Sequence, residues 1–273
     1  MTTTEIEPQS TVDTPETKRH AVPPIVRHSL TLAWRTIIRI RYNPEQLIDV
    51  TLQPIIFIVI FVFLFGGAIS SNWRDYLPFV LPGIMAQTVA FATVNTGVNL
   101  STDITKGVFD RFRSLPIARS APLIGAVLGD MVRYIVTMVV ILGFGSALGF
   151  RIHTDPWSAL AACLLVLLFA FAFCWITVLI GLVARTPGSV QGLSFLLMFP
   201  ITFGSNVFSA TSTMPGWLQA LVKVNPVTQL VNSVRGLFLG GPVATPVWHT
   251  VVWTAGFFVV FGSLAIRAYR RKA

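Results

Sequence analysis

The stretch Ser158–Val183 reads SALAACLLVLLFAFAFCWITVLIGLV, 26 residues without one charged side chain. A helix needs about 20 consecutive apolar residues to cross a hydrocarbon layer about 30 Å thick. Lipid offers no hydrogen-bond partners, so a spanning backbone must satisfy its polar groups internally, as a helix does. This stretch therefore predicts a transmembrane helix, and it places the whole chain in a membrane.

Five further apolar runs, of 19 to 30 residues, occur along the 273-residue chain. They are Thr51–Ile69, Pro78–Leu100, Ala121–Phe150, Gln191–Ser209 and Val247–Ile266. The run of 30 residues is longer than a span requires, so it must tilt or protrude. The sequence thus predicts an all-α membrane protein with six transmembrane helices, which form a permease domain over residues 47–273.

The composition supports a membrane class and gives the orientation of the chain. Only 11% of the residues are charged and 53% are hydrophobic, whereas soluble domains have about 25% charged residues. With the N-terminus in the cytosol, 15 of the 20 lysines and arginines lie on the cytosolic side and four lie outside. That bias predicts cytoplasmic N- and C-termini. It also explains the net charge of +9 without a nucleic-acid partner.

Two segments precede the first span. Residues 1–20 are rich in Thr, Glu and Pro, a composition typical of a disordered cytosolic tail. Residues 21–46 place Arg27, Arg35 and Arg39 on one helical face, opposite apolar residues. This pattern predicts an amphipathic helix lying in the headgroup layer of the membrane.

The external segment 210–246 is too long for a turn and too apolar for a free loop. Asn225 followed by Pro226 predicts a helix start, so we expect one helix over 226–239 and a shorter one over 216–222. We interpret both as re-entrant helices that dip into the outer leaflet or cover the outer mouth of the bundle. The alternative is a small external cap with no transport role. The residues assigned to this feature are Pro215, Trp217, Asn225, Pro226 and Arg235.

Enzyme signatures are absent from the sequence. It has no G-x-x-x-x-G-K-[ST] phosphate loop, no H-E-x-x-H and no C-x-x-C pattern. The two cysteines, Cys163 and Cys174, lack the spacing of metal ligands. We therefore expect no catalytic residue, no metal site and no cofactor site in this chain.

Polar residues inside spans are costly and are candidates for function. Asp130 and Arg133 are three residues apart, so they can pair on one helical face. That pair either anchors the helix near the inner interface or contacts substrate. Other candidates either line a translocation path or bond and pack against neighbouring helices. These are Gln53, Gln87, Asn95, Asn206 and Phe203.

The loop after the second predicted span reads DITKGVFDRFRSLPIARS over Asp103–Ser120. It contains an acidic residue, a glycine four positions later, arginines, a proline and another arginine. This order resembles the signature loop of type-2 ABC exporter permeases, in particular the daunorubicin-resistance-type permeases of actinobacteria. Met214–Gly241 resembles the external re-entrant helices of the same family. One departure is Asp103, where many relatives have glutamate.

The resemblance implies partners. Such permeases pair with two copies of a separate ATP-binding subunit, which holds MgATP, and with a second permease copy, here as a homodimer. It also implies that loop 101–120 is a coupling helix docked on the ATP-binding subunit. The residues carried over to that role are Asp103, Gly107, Asp110, Arg111, Arg113, Pro116 and Arg119.

The expected function is export of an amphipathic drug or antibiotic across the bacterial inner (plasma) membrane, by a chain that is not itself an enzyme. Membrane lipid and the amphipathic substrate are its other expected partners. One alternative is an exporter of a lipid or a lipid-linked glycan. Another, from a different class, is a membrane enzyme or assembly factor without its own transport.

Overall fold

A computed structural model describes residues 44–70, 72–108 and 121–272 of the chain. Within these ranges all regular secondary structure is helical. The predicted tail 1–20, almost all of the predicted amphipathic helix 21–46 and residues 109–120 of the predicted coupling loop lie outside the described residues.

Ten α-helices account for the described ranges, with short π and 3-10 segments between some of them. The first five are α1 Pro44–Val59, α2 Gly66–Ser70, α3 Trp73–Thr105, α4 Ala121–Ala147 and α5 Pro156–Val183. The second five are α6 Pro187–Phe203, α7 Gly216–Val224, α8 Pro226–Leu239, α9 Ala244–Phe257 and α10 Ser263–Lys272. The π-helical segments Ile60–Phe65 and Phe258–Gly262 join α1 to α2 and α9 to α10.

Five helical stretches are long and apolar enough to cross a membrane. These are Thr51–Ser70, Trp73–Thr105, Leu123–Ala147, Pro156–Val183 and Ala244–Arg271. Each overlaps one of the apolar runs predicted from the sequence. The remaining predicted span corresponds to α6, which has 17 residues and is about 25 Å long at 1.5 Å per residue.

The predicted end of that span at Ser209 is wrong for the helix, because α6 ends at Phe203. The side chain of Asn225 donates to the carbonyl oxygens of Ile201 (2.7 Å) and Gly204 (2.8 Å). An end carbonyl of a helix normally needs such a partner from elsewhere in the chain. A residue more than 20 positions away therefore supports the helix end, and no local pattern could have predicted it.

Caps define the starts of the long helices. The side chains of Asn72, Asp155 and Thr186 accept hydrogen bonds from the main-chain N–H groups of Arg74, Ser158 and Ser189 at 3.1–3.2 Å. At two of these starts a proline occupies the first helical position, where its missing N–H costs nothing. Local sequence therefore sets where α3, α5 and α6 begin.

Helix α3 is the centre of the bundle. It packs against α4, α5, α6 and α8, most extensively against α5. Its residues 80–90 are all buried, although the segment includes Gln87 and Thr88. A single helix of 33 residues, about 50 Å long, thus runs through the middle of the fold.

The contact between α3 and α5 is unusually close. A Cβ atom added to Gly97 would lie 2.4 Å from the carbonyl oxygen of Thr177. A Cβ added to Gly181, one turn further along α5, would lie 2.6 Å from the carbonyl oxygen of Gly97. The Thr177 hydroxyl also donates to the carbonyl oxygen of Thr93 at 2.8 Å. Small residues permit this backbone approach, as in many membrane helix pairs.

The outer helices expose apolar side chains that a soluble protein would bury. Leu64 on the segment after α1, Leu196 on α6 and Val259 after α9 are 69%, 74% and 65% exposed. Such faces are stable in lipid, where exposed apolar surface costs nothing. The arrangement is that of a membrane bundle with α3 and α5 inside and α1, α6 and α9 on the perimeter.

Candidate functional site

Helices α7 and α8 form a hairpin joined by the single residue Asn225. The side-chain oxygen of Asn225 accepts a hydrogen bond from the Val227 N–H at 2.8 Å, so it caps α8 as the sequence predicted. Its amide nitrogen donates to the last turn of α6. One side chain therefore starts α8 and fastens the vertex of the hairpin to the bundle.

Arg235 fastens the hairpin a second time, to the N-terminal part of α3. Its Nε donates to the carbonyl oxygen of Phe79 at 2.8 Å, and the guanidinium carbon lies 3.7 Å from the centre of the Phe79 ring. Its Nη2 atom donates to the carbonyl oxygens of Asn206 (2.9 Å) and Val207 (3.0 Å). Desolvation lowers the pKa of Arg235 to about 9, which leaves the guanidinium charged at neutral pH. A planar, multidentate cation suits three carbonyl acceptors.

The non-helical segment 204–210 lies between the hairpin and α3. The Tyr76 hydroxyl donates to the carbonyl oxygen of Phe208 at 2.6 Å, and the Asn206 amide donates to Asn232 at 2.7 Å. A Cβ on Gly83 would lie 2.9 Å from the carbonyl oxygen of Val207. The segment thus replaces its missing helical hydrogen bonds with bonds to side chains of α3 and α8.

The other end of α8 is held by the loop before α5. The His153 N–H donates to the carbonyl oxygen of Phe238 at 2.9 Å, and the Thr154 hydroxyl donates to that of Leu237 at 2.5 Å. Helix α8 is therefore fixed at its vertex, along its length and at its end. The hairpin is an integral part of the bundle and not a free external loop.

Helix α7, in contrast, exposes most of its apolar residues. Trp217, Leu221 and Val224, spaced at helical intervals, are 70%, 62% and 65% exposed, and Pro215 before the helix is also exposed. A groove of about 670 Å³ runs beside this face, between α7, the end of α6 and α9. The site therefore has a fixed arm, α8, and an arm with an open apolar face, α7.

The C-terminal end of α3 contains the first part of the predicted coupling loop. Asp103 lies in the last helical turn and is half-buried. Gly107 follows the end of the helix with φ of +67°, a left-handed conformation that favours glycine and commonly ends helices. This backbone conformation therefore explains why the motif has glycine at position 107. The other residues assigned to this loop lie outside the described residues, namely Asp110, Arg111, Arg113, Pro116 and Arg119.

The charged residues of α4 come together as an ion pair. A guanidinium nitrogen of Arg133 lies 3.8 Å from a carboxylate oxygen of Asp130, and both side chains are at least 95% buried. Tyr134 follows Arg133 in the sequence, and its hydroxyl oxygen lies 2.8 Å from the hydroxyl oxygen of Thr96 on α3. The pair thus lies beside a polar contact between two helices. Its burial fits an anchoring role, since a lone buried charge is expensive.

The five residues predicted to line a path occupy different environments. Gln53 is exposed on α1, Asn95 is half-buried, and Gln87 and Asn206 are buried on α3 and in segment 204–210. Phe203 lines the groove beside α7. Gln87 and Asn95 lie four residues before and after Phe91 on one face of α3, and the Phe91 ring centre lies 6.5 Å from that of Phe203. That these residues line a path stays a prediction.

No group of three or more His, Cys, Asp or Glu side chains in the described ranges could hold a metal ion. Cys163 and Cys174 are free thiols, and both lie within α5.

Comparison with known proteins shows which family the chain is similar to. Residues 27–239 match the family described as ABC-2 type transporter. The chain is 40% identical over 255 residues to the daunorubicin resistance ABC transporter permease protein DrrB1 of Streptomyces coeruleorubidus, covering 93% of this chain and 90% of that protein. It is 28% identical to the probable doxorubicin resistance ABC transporter permease protein DrrC of Mycobacterium tuberculosis, over 81% of this chain and 80% of that protein. It is 23% identical to the inner membrane transport permease YadH of Escherichia coli, over 81% and 88% of the two chains. With its apolar helices, the chain is a multi-pass membrane protein that belongs to the ABC-2 type transporter family.

Proposed function

We propose that this chain is the permease subunit of an ATP-driven exporter that moves an amphipathic drug or antibiotic out of a bacterial cell. The observation that carries the proposal is the 40% identity, over 93% of the chain, to a daunorubicin resistance permease. The doxorubicin-named relatives support the same substrate class. ATP is bound and hydrolysed, as MgATP, by two copies of a separate subunit.

The membrane arrangement completes the proposal. Six helices span the bilayer, α6 being the short one, with both termini cytoplasmic and residues 21–46 at the inner interface. Helix α8 bonds to the end of α6 at one end and to the loop before α5 at the other. In this arrangement the end of α6 and the loop before α5 both lie at the outer side, so these bonds support a hairpin that covers the outer mouth of the bundle or dips into the outer leaflet.

The central helix supplies the coupling route. Helix α3 joins the cytosolic flank, Asp103 and Gly107, to the Arg235 contact at its outer end. In the proposed cycle, closure of the ATP-bound subunits moves loop 101–120 and with it one end of this helix. A rigid helix passes that movement to the hairpin. ATP then favours an outward-open state because it binds that state more tightly.

A second permease copy completes the pump in this proposal, forming a homodimer. The exposed apolar side chains of α1 and α6 are the surfaces on which such a contact would form. Gln53 on α1 and Phe203 at the end of α6 would then lie on or near the surface between copies. This placement would let them contact substrate.

The coupling loop gives the direct test. Replacing Arg111 and Arg113 together with alanine should leave membrane insertion intact and reduce substrate-stimulated ATP hydrolysis about fivefold or more, the size of a typical coupling energy. The measurement uses liposomes containing the permease and its ATP-binding subunit. The matched control replaces Arg270 and Arg271 of α10, which lie on the same predicted side, and should retain activity. Normal stimulation in the loop variant would refute the assigned role of the loop.

A further inference from the structure

Helix α10 continues the last membrane-spanning stretch and packs on the bundle through one face. Ala265 is fully buried, and Tyr269, four residues later on the same face, is 9% exposed. Both belong to a buried cluster that also contains Leu100 of α3 and Leu182 of α5. The end of α10 is therefore fixed beside the C-terminal ends of α3 and α5.

The opposite face of the same helix changes from apolar to cationic along its length. Val260, in the π-helical segment before α10, and Leu264 are 50% and 42% exposed. Arg267 and Arg271 follow Leu264 by three and seven residues, so they continue its face, and both are exposed, as is Arg270. These three arginines, here called the arginine stripe, begin about 5 Å beyond Leu264 along the helix.

The charges of the arginine stripe are not neutralised within the described part of the chain. No carboxylate there forms an ion pair with any of the three guanidinium groups, and residues 156–273 contain no aspartate or glutamate. Arg185, two residues after the end of α5, is exposed and adds a positive charge at this end of the bundle. The stripe therefore favours an anion, and the planar guanidinium group is particularly suited to phosphate.

The position of the arginine stripe indicates which molecule supplies the phosphate. An exposed arginine is costly among acyl chains, whereas Val260 and Leu264 are stable there. The stripe therefore lies at the level of the headgroups, directly beyond the hydrocarbon that meets these two residues. A soluble protein partner would meet the charged turns but not the apolar turn before them. A phospholipid meets both.

We propose that the arginine stripe is a binding site for an anionic phospholipid. Its acyl chains lie against Val260 and Leu264, and its phosphate contacts Arg267 and Arg271. In the orientation proposed above, this lipid belongs to the inner leaflet, and it anchors the end of α10 at the membrane surface. The site takes no part in the proposed coupling, so it is consistent with retained ATP hydrolysis after replacement of Arg270 and Arg271.

Native mass spectrometry of the full-length chain tests the lipid preference. The protein is reconstituted with equal amounts of phosphatidylglycerol and phosphatidylcholine that have the same acyl chains, and the lipids it retains in mild detergent are counted. Phosphatidylglycerol should be retained at least about fivefold better, the usual effect of one arginine or lysine near an anionic surface. Equal retention of the two lipids by the unaltered protein would overturn the site.

Paired variants locate the preference on α10. Arg267→Gln together with Arg271→Gln should remove most of it, whereas Arg267→Lys together with Arg271→Lys should keep it, because the charge remains. The matched control, Arg151→Gln together with Lys223→Gln, removes two exposed cations before α5 and in α7 and should leave the preference unchanged. An equal loss in the control would mean attraction by net charge alone and would contradict a site on α10.

Addition of the ATP-binding subunit distinguishes a lipid from a protein partner. The preference for phosphatidylglycerol should persist in the complex, since the proposed lipid lies against the membrane-facing side of α10. If the subunit abolished the preference, the arginine stripe would be a protein-docking surface and the lipid assignment would fail.

Discussion

Gly97→Ala should lower the free energy of unfolding by about 1–3 kcal/mol, the usual cost of overpacking a close-packed interior. The added methyl group would lie 2.4 Å from the Thr177 carbonyl oxygen and 2.8 Å from its carbonyl carbon. Both are backbone atoms, so no side-chain rotation relieves the overlap and α3 and α5 must move apart. For a protein of this size, the loss corresponds to a fall in Tm of about 2–5 °C.

The measurement is thermal unfolding of the detergent-purified protein, with Gly143→Ala as the matched control. Gly143 is also in a helix of a predicted span, but a Cβ there would meet nothing within 4 Å. Alanine is the better helix former by about 1 kcal/mol, so the control should be neutral or slightly stabilising. Equal Tm values for the two variants would contradict the close contact between α3 and α5.

Separation of α3 from α5 should also reduce transport more than stability alone explains. Helix α3 runs from the start of the predicted coupling loop to the Arg235 contact with the hairpin, and its close contact with α5 depends on Gly97 and Gly181. In the proposed cycle, a displaced α3 would pass less of the movement at loop 101–120 to the outside. We therefore expect substrate-stimulated ATP hydrolysis to fall even at temperatures where the variant is fully folded.

The sequence was most informative where one local property decides the structure. Long apolar runs predicted the helices that are long enough to span, and the pair Asn225–Pro226 predicted the start of α8. These two predictions were correct because the length and the capping of a helix depend on residues that are neighbours in the sequence. The same local reasoning extended α6 to Ser209, since nothing nearby shows that Asn225 closes the helix earlier.

Contacts between distant residues could not be predicted in this way. A close approach of two helices uses Gly97 and Gly181. Each has a threonine four residues earlier, Thr93 and Thr177, but pairs of small residues at this spacing are common in membrane helices and do not show which of them meet. Gly149, which lies in a small-residue pair with Gly145, has φ of +104° and belongs to the turn after α4. Partners 84 positions apart in sequence, and not spacing within one helix, determine which glycines allow close packing.

The contacts of Arg235 could not be predicted from the sequence either, although the residue itself was assigned to the predicted external helices. Its acceptors are main-chain carbonyl oxygens of Phe79, Asn206 and Val207. Because every residue has such a carbonyl group, the sequence does not indicate which ones Arg235 contacts. A usable signal does exist: one arginine in an otherwise uncharged helix of 14 residues. In an apolar setting such a residue needs buried acceptors, which indicates a contact without naming it.

Arg235→Gln should be the most destabilising single change in the hairpin, lowering the free energy of unfolding by about 3–5 kcal/mol. Three carbonyl oxygens lose a charged donor. Those of Asn206 and Val207 lie in the non-helical segment 204–210, and a buried acceptor left without a partner costs about 1–3 kcal/mol. The contact with the Phe79 ring adds about 0.5–2 kcal/mol. Arg235→Lys should recover only part of the loss, because an ammonium cannot serve three divergent acceptors in a fixed plane.

Hydrogen exchange distinguishes the local loss of the Arg235 contacts from a general loss of stability. In the Arg235→Gln protein, amides in segment 204–210 and in α8 should exchange faster than those at the α3–α5 contact, since the lost bonds join the hairpin to α3. Gly97→Ala should show the reverse order, and Arg151→Gln, at an exposed arginine, should change neither region. If Arg235→Gln and Arg151→Gln gave the same exchange pattern, the hairpin would be held by Asn225 and the loop at 153–154 alone. Faster exchange confined to the hairpin and segment 204–210 would instead show that Arg235 holds the hairpin to α3.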